Sequence, residues 1–306
     1  MKPLNLEYFI PKIIPREVKR YRSNPRQLAV GSSGKLGGLR LGLARSDSGK
    51  TIIKDMWKQV PLQVLRPFYF DENEPDLAII YVLNPTGGIL QGDRSRMDIS
   101  LGAGCKVHVT TQAATKIYGM NSDYATQSVN LLLGPESYLE YLPDQTIPYR
   151  NSRFYQEVNV RVSPSSTFLH WEILTPGRRE REHFEFDIFY SRLSVLDQTG
   201  RVILSDTTVL DPTLADFTRI GIMGKFDVLG NFYSVSPKVT HALVDRIHSS
   251  FSGSRVLHGV SPTSLAPGLV ARVLGHSTLE VRAVLQEIWN QVRLEVLGSP
   301  APNIRK

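Results

Sequence analysis

The run Cys105-Lys106-Val107-His108-Val109-Thr110-Thr111-Gln112-Ala113-Ala114-Thr115-Lys116-Ile117-Tyr118 carries two signals back to back. Cys105, Val107 and Val109 alternate with Lys106, His108 and Thr110, the period of a half-buried β-strand. The strand then gives way to a polar stretch, Thr110 to Tyr118, whose residue types packing alone does not require. The same alternation recurs outward along the chain. Val158, Val160 and Val162 alternate with Glu157, Asn159 and Arg161, and Phe184, Phe186 and Ile188 alternate with His183, Glu185 and Asp187. Thr51–Ile53, Leu77–Leu83, Phe168–Leu174 and Val202–Leu204 add short apolar runs bounded by Gly, Pro, Asp or Ser. Residues 36–235 therefore read as mainly β: a sandwich, a barrel or a layered stack of many short strands.

Two helices are expected near the C-terminus. Residues 237–251 place Val239, Leu243, Val244, Ile247 and Phe251 on one stripe. Ser277-Thr278-Leu279-Glu280 reads as a capping box, followed at helical spacing by Val281, Leu285, Ile288, Val292 and Val296 and stopped by Gly298 and Pro300. No internal repeat is visible. The economical division is a basic, proline-rich arm over 1–30, one β-rich domain over 31–298 and a short tail over 299–306.

A chain of 306 residues buries about three-quarters of its unfolded surface and needs no disulfide staples. Its single cysteine, Cys105, suits a reducing cytoplasm. No run approaches the length of a membrane span, and residues 1–26, broken by Pro3, Pro11, Pro15 and Pro25, lack the apolar core of a signal peptide. The net charge is +7. Within residues 1–26, Lys2, Lys12, Arg16, Lys19, Arg20, Arg22 and Arg26 face only Glu7 and Glu17, so most of the excess sits on the arm. That arm is either a solvated tail or the complement of an acidic partner surface. A basic nucleic-acid-binding β protein is the other reading of the same charge.

Ala44-Arg45-Ser46-Asp47-Ser48-Gly49-Lys50-Thr51 fits a loose phosphate-binding loop and raises a nucleotide-binding alternative. The β-branched start of the next segment predicts a hairpin turn there instead. Asn84-Pro85-Thr86-Gly87-Gly88-Ile89-Leu90-Gln91-Gly92-Asp93 reads as a pair of tight turns, with Gly87, Gly88 and Gly92 supplying positive φ; a turn alone leaves Asp93 unexplained. The seven histidines form no H-x-x-x-H or Cys/His pair, so no tight metal site is expected within one element. No G-x-S-x-G elbow presents a nucleophile. Glu140 and Glu172 stand in strands dense with apolar and aromatic residues, where an ionised side chain is costly unless paired or hydrated. Each is either outward-facing or the partner of Arg150, Arg153 or Arg178, or else part of a water-filled passage of hard oxygen ligands.

Asn84–Asp93, Thr110–Tyr118 and Leu139-Glu140-Tyr141-Leu142-Pro143-Asp144-Gln145-Thr146-Ile147-Pro148-Tyr149 closely resemble, in order and spacing, the urease accessory family UreD, called UreH in some organisms. Pro61-Leu62-Gln63-Val64-Leu65-Arg66-Pro67-Phe68-Tyr69 resembles the family's PL-x-V-x-RPFY segment, and Gly31 to Leu43 its opening strand. The chain departs from the family at Arg178–Phe184, which lacks a second glycine, and at its final residues, which lack the PR-x-W ending. The resemblance implies a layered, helical-stack-like β architecture with about two C-terminal helices. It implies a non-catalytic, cytoplasmic maturation factor whose partners are UreF, the GTPase UreG and the urease apoprotein. Nickel would pass transiently through the chain with no tightly bound cofactor, and GTP would belong to UreG. Carried onto this sequence, Thr86, Asp93, Thr115, Glu140, Asp144 and Glu172 are the candidate lining of the nickel passage.

Overall fold

The computed structural model describes residues 5–22, 35–178, 180–251 and 253–304. The chain enters through two short helices, α1 (Leu6–Phe9) and α2 (Arg16–Lys19). A hairpin follows, β1 (Leu36–Arg45) and β2 (Thr51–Gln59), then β3 (Gln63–Val64) and β4 (Ala78–Leu83). The middle of the chain supplies β5 (Arg94–Leu101), β6 (Lys106–Thr111), β7 (Thr115–Ile117), β8 (Ala125–Leu133), β9 (Tyr138–Tyr141) and β10 (Thr146–Pro148). It continues with β11 (Arg153–Arg161), β12 (Thr167–Leu174), β13 (Ile188–Leu196), β14 (Val202–Leu210) and β15 (Val228–Val235). Helix α3 (His241–Ser250), strands β16 (Leu257–Pro262) and β17 (Gly268–Gly275) and helix α4 (Thr278–Leu297) complete it.

Seven strands form one sheet in the order β14-β13-β11-β8-β5-β1-β2. The second, ten-stranded sheet runs β16-β17-β15-β12-β9-β6-β4-β3, with β10 and β7 joined to it through β12. From β4 to β13 the main strands alternate between the two sheets, and within each sheet they pair in parallel. Lys106 pairs with Tyr138 and Tyr138 with Thr167, so one coil takes roughly thirty residues. This is a two-sheet β solenoid. Its apolar core lies between the sheets and includes Leu41, Ile99, Val107, Leu131, Leu139, Val160 and Val195.

Each coil returns from the second sheet to the first through a long loop and back through a short one. The long loops are 84–93, 112–124, 142–152 and 175–187, stacked along one side of the solenoid. The three polar motifs are thus three successive crossovers. In the first, Gly87 and Gly92 have φ of 76° and 75°, as expected. Gly88 differs: its backbone passes so close to the neighbouring coil that a Cβ would meet Tyr118 at 2.5 Å and the Lys116 carbonyl at 2.7 Å. The fourth crossover overturns one expectation. Phe184 to Ile188 is no strand; Phe184 has φ of 55°, and pairing starts only at Ile188. Phe184 and Phe186 alternate because they plug the end of the core with Phe189 and Phe217.

The strand through Val107 is buried on both faces. His108 and Thr110 are 2% and 1% exposed because the second sheet lies between the first sheet and the helices. Val281, Leu285, Ile288, Val292 and Val296 of α4 are buried against it, each worth about 1.5–3 kcal/mol of burial. The capping box forms as the sequence predicts, with Glu280 N–H donating to Ser277 Oγ and Glu280 Oε2 accepting from the Ser277 N–H, and Gly298 closes the helix with φ of 76°. Residues 5–22 of the basic arm pack on the outer face of the first sheet, with Phe9 and Val18 fully buried. The expected boundary near residue 30, and Gly31–Gly34 of the opening segment, lie outside the described residues. Arg45 pairs with Thr51 across the Ser46–Lys50 turn, so the phosphate-loop-like motif is a hairpin turn entering a strand. It has no helix N-terminus with which to hold a phosphate.

Candidate functional site

A cavity of about 190 Å³ lies between the two sheets, on the side of the long crossovers. Its wall on the first sheet is a polar row set by register: Ser95 pairs with Gln127, and Gln127 with Gln156. Ser191 continues the row beyond Gln156. In three successive coils one polar residue interrupts the inward row and apolar residues follow it, as in Ser95-Met97-Ile99-Leu101, Gln127-Val129-Leu131-Leu133 and Gln156-Val158-Val160; in the last two strands Ala125 and Phe154 precede it as buried apolar positions. That polar interruption at matching register was the readable signal of the cavity, and reasoning from motifs alone missed it. The second sheet contributes Thr111, Tyr141, His170 and Glu172, and the crossovers contribute Asn84, Thr115, Asp144 and Thr146.

Glu172 is buried and projects from β12 toward the first sheet. Its Oε1 accepts from Gln156 Nε2 and, at 2.7 Å, from Ser191 Oγ. Burial pushes its carboxyl up from 4.5 to about 7, only partly offset by these hydrogen bonds. His170 lies one inward position away, stacked between Tyr141 and Tyr233 at 5.1 and 5.9 Å. Burial lowers its imidazole from 6.5 to about 4 although Nδ1 is 2.8 Å from the Tyr141 carbonyl, so at neutral pH the ring is uncharged. Asp144 accepts from Arg282 of α4 at 2.7 Å, and its backbone N–H donates to Thr111 Oγ1 at 2.9 Å.

The six predicted lining residues do not form one group. Thr115, Asp144 and Glu172 line the cavity. Thr86 stays within its own turn, donating to Asn84 Oδ1 at 2.7 Å. Asp93 fastens two turns, accepting from the Lys35 N–H at 2.8 Å and the Leu90 N–H at 2.9 Å, which supplies the reason for an aspartate there. Glu140 faces the other way, toward α4, with no exposure at all. It receives Trp289 Nε1 at 2.7 Å, the Tyr138 hydroxyl and Arg293 at 3.3 Å, and lies 2.6 Å from His108 Nδ1. Burial alone would raise the Glu140 carboxyl, but the Arg293 guanidinium and His108 hold it below its ordinary value. Arg293 also grips Asp71 at 2.6 Å. Arg150, Arg153 and Arg178, the expected counter-ions, pair instead with Glu185, Asp187 and Glu182 of the fourth crossover. Among the described residues no three His, Cys, Asp or Glu side chains are grouped to hold a metal ion. Nor, among those residues, is any helix long and apolar enough to cross a membrane.

Fold and site together define a β-solenoid protein whose interior opens a polar, acid-bearing chamber beside three motif loops. The chain belongs to the UreD urease accessory protein family, whose model matches residues 35–306. It is 36% identical over 293 residues to urease accessory protein UreD 2 of Brucella suis, covering 94% of this chain and 96% of that one. UreD 3 of Methylorubrum populi is 38% identical over 296 residues, 94% of each chain. UreD of Photorhabdus laumondii is 34% identical over 291 residues, 94% of this chain and 90% of that one. The chain is accordingly a urease maturation factor.

Proposed function

We propose that this chain acts without catalysing a reaction of its own. It works as a cytoplasmic scaffold that binds apo-urease together with UreF and UreG and gives nickel a covered route toward the urease active site. The observation that carries this reading is the chamber between the sheets, where Glu172, a neutral His170, Asp144 and hydroxyl and amide side chains share one enclosed space. Nickel is cargo here, not a resident cofactor. Imidazole and oxygen donors suit it, and the absence of thiolate keeps retention weak. Asp144 already answers to Arg282, and Glu172 to Gln156 and Ser191, so neither offers a bare, trapping charge. Any GTP stays with UreG, since the loop of this chain that resembles a phosphate site is a hairpin.

Glu172→Leu tests the route. Recovery of the other maturation proteins and urease on the tagged variant should match wild type, while nickel in the purified urease should fall several-fold. Full nickel content would remove Glu172 from the route; loss of recovery would mark it as a packing residue.

A further inference from the structure

The sequence concentrates positive charge on residues 1–26, and nothing in the chamber uses it. Where the arm crosses the outer face of the first sheet it leaves a groove of about 670 Å³, bounded by Ile10, Pro11 and Lys12 on one side and by β1, β5, β8 and β11 beneath. The floor is a register-matched row, Asp98-Asn130-Asn159, on three parallel strands. Asn159 donates to Asn130 at 3.2 Å and Asn130 to Asp98 at 2.7 Å.

The groove's two acids are already neutralised from within. Asp98 takes Arg96 at 2.9 Å and the Tyr8 hydroxyl; Glu157 takes Arg192 at 2.8 Å, Ser128 and the Tyr155 hydroxyl. Three of the groove's four cations are not. Lys12, Arg40 and Arg161 have no carboxylate within ion-pair distance among the described residues; Arg40 rests on the rings of Tyr8 and Trp57 and hydrogen-bonds the Tyr8 hydroxyl. Between them stand half-exposed apolar side chains, Ile10 at 36% and Leu132 at 49%.

We propose that this groove binds an extended acidic segment of a partner protein, its carboxylates taken by Lys12, Arg40 and Arg161 and its alternate apolar side chains laid against Ile10 and Leu132. Three separated cations around apolar walls suit alternating carboxylates better than a polyphosphate backbone, which needs a continuous basic track. The interaction is independent of the chamber, which lies on the opposite face of the first sheet.

The probe is a fluorescein-labelled twelve-residue peptide of alternating Glu and Val, titrated with the full chain by fluorescence anisotropy. A Lys-Val peptide and a twelve-nucleotide single-stranded DNA serve as comparisons. The Glu-Val peptide alone should bind. The affinity should fall about tenfold between about 50 and about 300 mM NaCl, and at least about tenfold in Lys12→Glu/Arg161→Glu. Lys225→Glu, on a distant loop, should leave it unchanged, and equal urea midpoints for all three proteins verify folding. No binding, equal affinity in the double variant, or tighter binding of the DNA would overturn the proposal.

Discussion

Glu140 and Glu172 sit on the neighbouring strands β9 and β12, and the pleat sends them to opposite faces of the second sheet. Sequence reasoning singled out both as expensive in apolar strands, which is correct. It could not assign their faces, because the cation that answers Glu140 is Arg293, 153 residues away on α4. The two should behave differently when changed. Glu140→Leu takes the carboxylate from between Arg293 and His108, leaving Arg293 only Asp71, and should cost about 3–5 kcal/mol in urea unfolding. Glu172 has its carboxyl raised to about 7, so the stabilisation it gives as a neutral acid is complete below pH 4.5 and is lost as the pH rises through 7. Glu172→Gln should therefore gain stability over wild type as the pH rises through those values, reaching on the order of 3 kcal/mol by pH 8, and equal it near pH 4. His170, lowered to about 4, acts in the opposite sense: its contribution is present above 6.5 and is lost as the pH falls through 4. Urea midpoints from pH 4 to 8 check both signs; a variant that tracks wild type throughout would mean Glu172 is ionised and hydrated.

At the level of elements, what was legible was whatever is written locally. The capping box at Ser277 and the stripe through Val281 and Val296 gave α4 almost to the residue, because a helix carries its own hydrogen bonds. The individual strands were legible for the same reason, as period-two runs. The coil was not, because it repeats in register and not in residue type: Lys106, Tyr138 and Thr167 share one position on successive turns. Phe184–Ile188 misled for a related reason, since burial at the end of a core can mimic a pleat. Packing of α4 on the sheet is as specific as its caps. A Cβ at Gly230 would stand 2.4 Å from Val281 Cγ1 and 3.1 Å from Leu285 Cδ1. Gly230→Ala should push the helix outward and cost about 1–3 kcal/mol, whereas Gly259→Ala, facing open space, should change stability by less than about 1 kcal/mol. Equal urea midpoints for the two would show that α4 yields freely.

On the scale of the molecule, the solenoid separates its tasks by layer. The helices and the Glu140–Arg293 network hold the second sheet, the chamber lies between the sheets, and the basic arm with its groove covers the first. The order of the three motifs in the sequence is the order of three stacked crossovers at the chamber. The central claim is that nickel crosses that chamber. Ala114 lines it from the second crossover and is small, so Ala114→Trp should fill the opening without removing a charged group. The deciding measurement is nickel per active site in urease purified from cells whose only copy of this chain is Ala114→Trp. With the variant present at wild-type levels and still recovered with urease, nickel should fall several-fold below that of cells carrying the unaltered chain. Full occupancy in that urease would contradict the account and leave the chain a docking role alone.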